Sequence, residues 1–179
     1  WDWVWWGDPY VNVYEDYKFG FYTTNESRKI DQTVYEASTF LPVWASGNER
    51  GGINWGPAYQ PVFHWMFING AFYGFTNLVH NSDGTMYGYD LLPPQGAVKN
   101  VLTVGAVSNV PGGYFSPSNV FLASFSSAGP TDDGRIKPDV VAQGVTLFTT
   151  YNTSNTAYTT VSGTSFAAQS VASTLNLLQ

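Results

Sequence analysis

Cysteine is absent from this 179-residue chain. Disulfides, thiolate nucleophiles and thiolate metal sites are thereby excluded. Charge is scarce too: Asp, Glu, Lys and Arg make up 11% of the residues, seven basic against 13 acidic, for a net charge of −6. The basic residues are scattered and form no stripe for a phosphate backbone, which argues against a nucleic-acid partner. No apolar run approaches the about 18 residues of a membrane span, and no signal peptide is visible. The chain opens on Trp1 rather than Met and stops inside a helical pattern. A processed or truncated piece of a longer protein is the expectation.

What is present can build a core. Apolar residues reach 44%, enough for one domain or a large part of one, and too many for disorder. A composition rich in Tyr, Trp, Thr, Asn and Gly, without Cys, suits an exported protein of bacterial type, so a secreted or extracellular location is expected. Asn25-Glu26-Ser27 and Asn152-Thr153-Ser154 match the glycosylation acceptor pattern, a triplet common by chance.

The opening WDWVWWGDPYVNVYEDYKFGFYTT is dense in aromatics without a lasting period. Its plain reading is a surface segment or short strand pair, and its sharper one a platform for sugars or peptides, with Trp3, Trp5 and Trp6 as stacking faces. SRKIDQTVYEAS (27–38) sets Ile30, Val34 and Ala37 at helical spacing and Asp31 off that face, which predicts an amphipathic helix. TFLPVWA (39–45) reads as a short strand. The segment 51–96 reads as a long loop excursion. NVLTVGAV (100–107) is apolar throughout, like a strand buried on both faces, and NVFLASFSS (119–127) reads as another strand. GPTDDGRIKPD (129–139) is a turn cluster, TLFTTYNTSNTAYTTVSG (146–163) two strands joined by a turn. The final helix carries Ala168, Val171, Ala172, Leu175 and Leu178 on one face and no charge, which predicts full burial. Helix and strand alternate in the manner of an α/β fold with a mostly parallel sheet.

Ser165 stands where that helix begins. A serine there can cap orphan N–H groups, although Thr164 or Ser162 could do so too. A nucleophile also gains there, because the positive end of the helix dipole favours developing negative charge. Asn48 after Gly47 reads by itself as a turn residue.

Four stretches in order, VWASGNERGG, NVLTVGAV, ASFSSAGPTDDGRIKPDVVAQGV and VSGTSFAAQ, together resemble the subtilisin-like serine peptidases, and in particular their larger secreted bacterial members. The resemblance runs from about Ser27 to the end. It implies a subtilisin-like three-layer α/β fold, incomplete in this chain, with residues 1–179 as the later part of one catalytic domain and 51–96 as an excursion within it. It further implies that Ser165 is the nucleophile, that Asn48 donates to the oxyanion alongside the Ser165 backbone N–H, and that Ala45, Ser46 and Gly47 wall the substrate pocket. The implied substrate is a polypeptide, and the chemistry requires no cofactor. Structural calcium occurs in the family, but no ligands can be assigned: NSDGTMYGYD (81–90) lacks Gly at the sixth position of a calcium loop, and pairing with Lys and Arg explains the TDDGRIKPD acids better.

A serine needs a histidine base held by a carboxylate. The chain order in this family is Asp, His, Ser, so both partners should precede Asn48. His64 and His80 follow it, outside the His-Gly-Thr context of the family, and read as loop or packing residues. The expected Asp and His therefore belong to an upstream part of the same domain; without it the piece would be inactive and its sheet edge open. Gln169 replaces a usual proline in the first turn of the helix, a change that leaves Gly163, Thr164 and Ser165 intact. Two other functions fit the residues: an inactive subtilisin-like binding module, and an aromatic-rich carbohydrate-binding or adhesion domain.

Overall fold

The computed structural model describes residues 4–5, 19–20, 22, 26–50, 61–68, 71–79 and 89–178, the strands at 4–5, 61–68 and 71–79 by their backbone. Its elements run β1 (Val4–Trp5), α1 (Ser27–Glu36), β2 (Val43–Ala45), β3 (Pro61–Ile68), β4 (Ala71–Val79), β5 (Leu102–Val107), β6 (Val140–Gln143), β7 (Leu147–Thr150), β8 (Tyr158–Val161) and α2 (Thr164–Leu178).

β5 organises the part that matters for function. Its uncharged sequence LTVGAV tolerates burial on both faces, and from Thr103 to Val107 every residue is buried. β2 and β6 flank it, both parallel, in the order β2-β5-β6. Among the described residues β2 and β6 each pair on one side only. Val104, Ala106 and Ala123 meet Ala167 and Ala168 of α2 in a core completed by Val43, Ala45, Phe125, Ala142, Val145 and Val171. A helix lying on a parallel sheet is the α/β arrangement that the alternation of helix and strand implies.

The core is built from small residues because α2 and the β6–β7 turn come close. A Cβ added to Gly144 would stand 2.6 Å from the Ala106 Cβ and 2.9 Å from the Gly163 carbonyl. Gly144 also links two segments, donating to Val107 O at 3.0 Å and accepting from Gly163 N–H at 2.8 Å.

Buried charge fastens the opposite end of β5. Asp31 accepts from the backbone N–H of Asn100 at 2.7 Å and from the Tyr22 hydroxyl at 2.7 Å. The sequence places Asp31 off the inner face of α1, yet it is buried while Ile30, Val34 and Ala37 are only half-buried. The turn entering β5 has backbone donors that need an acceptor, and that need outweighs the apolar pattern. Lys137 donates to Val101 O at 2.8 Å and to Asp139 Oδ2 at 2.6 Å, and the same carboxylate oxygen accepts from Thr103 N–H at 2.7 Å. Asp133 is bridged by Arg135 at 2.9 Å, and these contacts with Arg135 and Thr131 hold its carboxyl below the ordinary range. Asp133 and Asp139 of this loop are thus paired with its bases. Among the described residues no three Asp, Glu or His side chains converge as a metal site would require.

Three expectations need correction, and one strand is unforeseen. The 51–96 segment, which reads as irregular, contains β3 and β4 paired antiparallel from Pro61↔Val79 to Ile68↔Ala71. Asn69-Gly70, between two aromatic-rich runs, is a strong hairpin signal. Residues 119–127 are not a strand: only a bridge from Leu122 to Val107 forms. There the Ser126 hydroxyl accepts from Ala106 N–H at 2.9 Å, a side-chain bond in competition with a ladder. β6 goes unforeseen, between the turn cluster 129–139 and the strands read within 146–163. Finally, α2 is buried only through its first turns, at Thr164, Ala167 and Ala168, whereas Leu177 is 87% exposed. The strands foreseen within 146–163 do form, as the antiparallel pair β7 and β8. Most of the aromatic opening lies outside the described residues; of it the structure describes the backbone of Val4–Trp5, which pairs parallel with β3, and Phe19, Gly20 and Tyr22.

Gly144→Ala should therefore cost about 1–3 kcal/mol through overpacking, read as a lowered denaturation midpoint in the full-length protein. An unchanged midpoint would mean that α2 moves freely against β5.

Candidate active site

Parallel pairing runs one residue beyond β2, where Ser46 N–H donates to Val104 O at 2.9 Å. The chain then folds over at Gly47, whose φ of +103° suits a residue without a Cβ. Ser127 N–H donates to Gly47 O at 3.0 Å and Arg50 N–H to Phe125 O at 3.1 Å. Glu49 N–H donates to the Ser127 hydroxyl at 3.1 Å, and that hydroxyl donates to Glu49 Oε2 at 2.9 Å. These bonds fix a tight loop with Asn48 exposed at its tip.

Asn48 reaches the mouth of α2. Its Oδ1 accepts from Thr164 N–H at 2.9 Å and from the Thr164 hydroxyl at 3.0 Å. The same hydroxyl accepts from Gly47 N–H at 3.2 Å. Thr164 is fully buried, so a residue next to the candidate nucleophile locks the orientation of a carboxamide 116 positions away in the sequence. A backbone N–H requires an oxygen facing it, which assigns the amide: Oδ1 is spent on Thr164 and Nδ2 is left as donor. Nδ2 lies 3.7 Å from where a Cβ on Gly163 would stand, and among the described residues it donates to nothing.

Ser165 follows in the first turn of α2, exposed, its hydroxyl without a hydrogen bond among the described residues. The capping role is filled from elsewhere, by the Asn48 oxygen, and Ser162 instead accepts from Thr146 N–H at 3.0 Å. Backbone N–H groups of a first helical turn have no intrahelical acceptor. The mouth of α2 thus presents an uncommitted hydroxyl, the Ser165 N–H and the Asn48 amide together. No charged residue occurs from Val140 to the end, so no carboxylate in that stretch competes for these donors, and the 15-residue helix adds its positive end.

An open groove of about 360 Å³ lies beside Ser165, lined by Val43, Trp44 and Ala45 of β2 and by Ala168, Gln169 and Ala172 of α2. Ala45 is thus brought together with Ser165. Ser46 is fully buried, its hydroxyl unpartnered among the described residues, and Gly47 sits in the bend. Their backbone shapes the loop, whereas only Ala45 of the three lines this groove. Gln169 shares it, one helical turn beyond Ser165. His64 falls in β3, described by its backbone, and His80 lies outside the described residues, so neither is assigned as a base. Sequence reasoning leaves Thr164 as one capping candidate among several; its position between Gly163 and Ser165 was the available signal. Nothing in the sequence pointed to the Glu49–Ser127 clasp.

The chain is similar to known proteins of one family. A family model described as the subtilase family matches residues 6–179. The C5a peptidases of Streptococcus pyogenes serotypes M18 and M1 are 44% identical over 62 residues, 35% of this chain and 5% of those proteins. The CspB protease of Clostridium perfringens is 28% identical over 62% of this chain and 20% of its own, with a TM-score of 0.40. The chain thus matches only a small part of each relative. Among the described residues no helix is long and apolar enough to cross a membrane.

Asn48 has two separable duties, an oxygen that caps and an N–H₂ that is free. Asn48→Ala should destabilise the full-length protein by about 1 kcal/mol, the value of a lost helix cap. Asn48→Asp keeps the acceptor at a positive helix end and should stay within about 0.5 kcal/mol of the parent. Equal losses in chemical denaturation would remove the capping role.

Proposed function

The chain belongs to the subtilase family, and on that premise we propose that it supplies the nucleophile and oxyanion-binding half of a serine endopeptidase site. The observation that carries the reading is the bond from Thr164 N–H to Asn48 Oδ1 at 2.9 Å. It leaves Nδ2 and the Ser165 hydroxyl both uncommitted at one helix mouth.

Ser165 Oγ attacks the carbonyl carbon of a peptide bond. A C–O bond forms and the carbonyl π pair moves to oxygen. Asn48 Nδ2–H and Ser165 N–H donate to that oxygen, which carries more charge in the transition state than in the substrate. The hydroxyl proton passes to a histidine base, which an aspartate orients. Both come, in this reading, from a part of the protein outside this sequence, and the piece alone is inactive. Collapse of the intermediate breaks the C–N bond, and the departing amine takes the proton. Water then hydrolyses the Ser165 ester by the same route. Neither metal nor cofactor takes part in these steps. Ala45 and the groove beside Ser165 receive part of the polypeptide. The composition supports a secreted protein.

Tests belong on the full-length protein. Ser165→Ala should abolish covalent labelling by a fluorophosphonate, and labelling that persists would remove Ser165 as nucleophile. Absence of labelling in the parent would favour an inactive binding module. Asn48→Asp should lower kcat by about a hundredfold with little change in KM, a magnitude borrowed from the corresponding donor in a subtilisin. A change in KM alone would reduce Asn48 to a structural residue.

A further inference from the structure

We propose that the loop 108–121 forms a substrate subsite of this peptidase, in which the rings of Tyr114, Phe115 and Phe121 receive apolar side chains of the polypeptide near the bond cleaved by Ser165. The inference rests on the peptidase reading given above.

Three observations carry it. The first is position. The loop leaves β5 at its carboxyl end, where open parallel sheets receive ligands. Its base closes with Ser108 N–H donating to Phe121 O at 2.9 Å. The adjacent Val107 O accepts from Gly144, whose own O accepts from Gly163, two residues before Ser165. A continuous run of backbone bonds therefore ties the loop to the nucleophile.

The second is rigidity. Asn119 Nδ2 donates to Gly113 O at 3.2 Å, and Asn119 Oδ1 accepts from Ser116 N–H at 3.2 Å. Pro117–Asn119 form a 3₁₀ turn, and the Ser116 and Ser118 hydroxyls bond to each other at 2.7 Å. One asparagine thus fixes the loop across its width, so its rings are held before any ligand arrives.

The third is chemistry. Tyr114, Phe115 and Phe121 are 68%, 76% and 65% exposed, which leaves large apolar area in water on a loop that its own bonds hold in place. Such area on a scaffolded loop marks a binding surface. No charged residue or histidine occurs from Asn100 to Thr131, so nothing here rewards a charged substrate. Extended polypeptide fits the occupant because backbone bonds tie the loop to the segment that carries Ser165, the proposed site of peptide-bond cleavage.

The test compares the full-length protein with its Tyr114→Ser/Phe115→Ser/Phe121→Ser variant on two peptide series of equal length, one with Phe or Leu flanking the cleaved bond and one with Ser or Asn. Fluorophosphonate labelling of Ser165 reports that both proteins are folded. The variant should lose about tenfold in kcat/KM on the Phe/Leu series, mostly through KM, and less than about twofold on the other. Equal losses on both series would make the loop a prop for the site and overturn the subsite. No loss on either would leave the rings to some other partner and overturn it as well. Failure of the parent protein to label at Ser165 or to cleave any peptide would bring down the peptidase reading, and the subsite with it.

Discussion

Two hydrogen bonds from Thr164 to one oxygen of Asn48 hold the functional end of this molecule together. The N–H at 2.9 Å and the hydroxyl at 3.0 Å converge on Oδ1, so rotation of the amide would set N–H₂ against N–H and lose both. A single threonine thus decides which end of the carboxamide faces the open side. It also couples a β-loop to a helix, because its hydroxyl takes the Gly47 N–H in turn. Ser165 and the Asn48 amide are therefore positioned by one rigid contact between neighbours in space, and an error in one would carry over to the other.

That contact needs the loop and the helix mouth to arrive at the same level, and the parallel sheet arranges this. β2 and β5 run in register from Val43↔Leu102 to Ala45↔Val104, and β5 and β6 from Val104↔Val140 to Val107↔Gln143. Their carboxyl ends deliver Ser46–Asn48 and Gly144 to one side. Small side chains then set the depth: Ala106, Ala167 and the bare Gly144 let α2 sit close on β5. Larger residues would lift the helix, and the bond from Thr164 to Asn48 would be among the first contacts stretched.

Much of this was legible in the sequence, unevenly and for physical reasons. β5 declares itself because an uncharged run has few places to go other than a buried strand. β7 and β8 show their alternation about an Asn/Thr/Ser turn, and α1 its spacing, to within two residues of the structure. β6 is hidden because VVAQ is short and enters directly from a proline-rich turn. Residues 119–127 look like a strand because Phe, Leu and Val are abundant there, yet their serines bond to the backbone of other segments. Asn48 and Ser165 could be named from motifs, but the part played by Thr164 lies in three-dimensional contacts between distant segments. The burial expected of α2 fails over its far half, where Ala172 and Leu175 are half-buried and Leu177 and Leu178 are exposed.

The distribution of charge separates stability from chemistry. Asp31, Lys137 and Asp139 gather where β5 and β6 begin, each bonded to backbone as well as to a partner. Asp31 and Lys137 can be buried there because each is compensated, Lys137 by an Asp139 that is itself exposed. The carboxyl ends of the strands hold almost no charge, and that is where free N–H donors stand. Glu49 is the exception, a carboxylate next to Asn48 in the chain. Its Oε2 accepts from the Ser127 hydroxyl at 2.9 Å while its own backbone donates to the same hydroxyl. The Ser127 hydroxyl thus gives that carboxylate oxygen a partner of its own within the loop. The clasp that shapes the Asn48 loop therefore also fixes where its carboxylate stands.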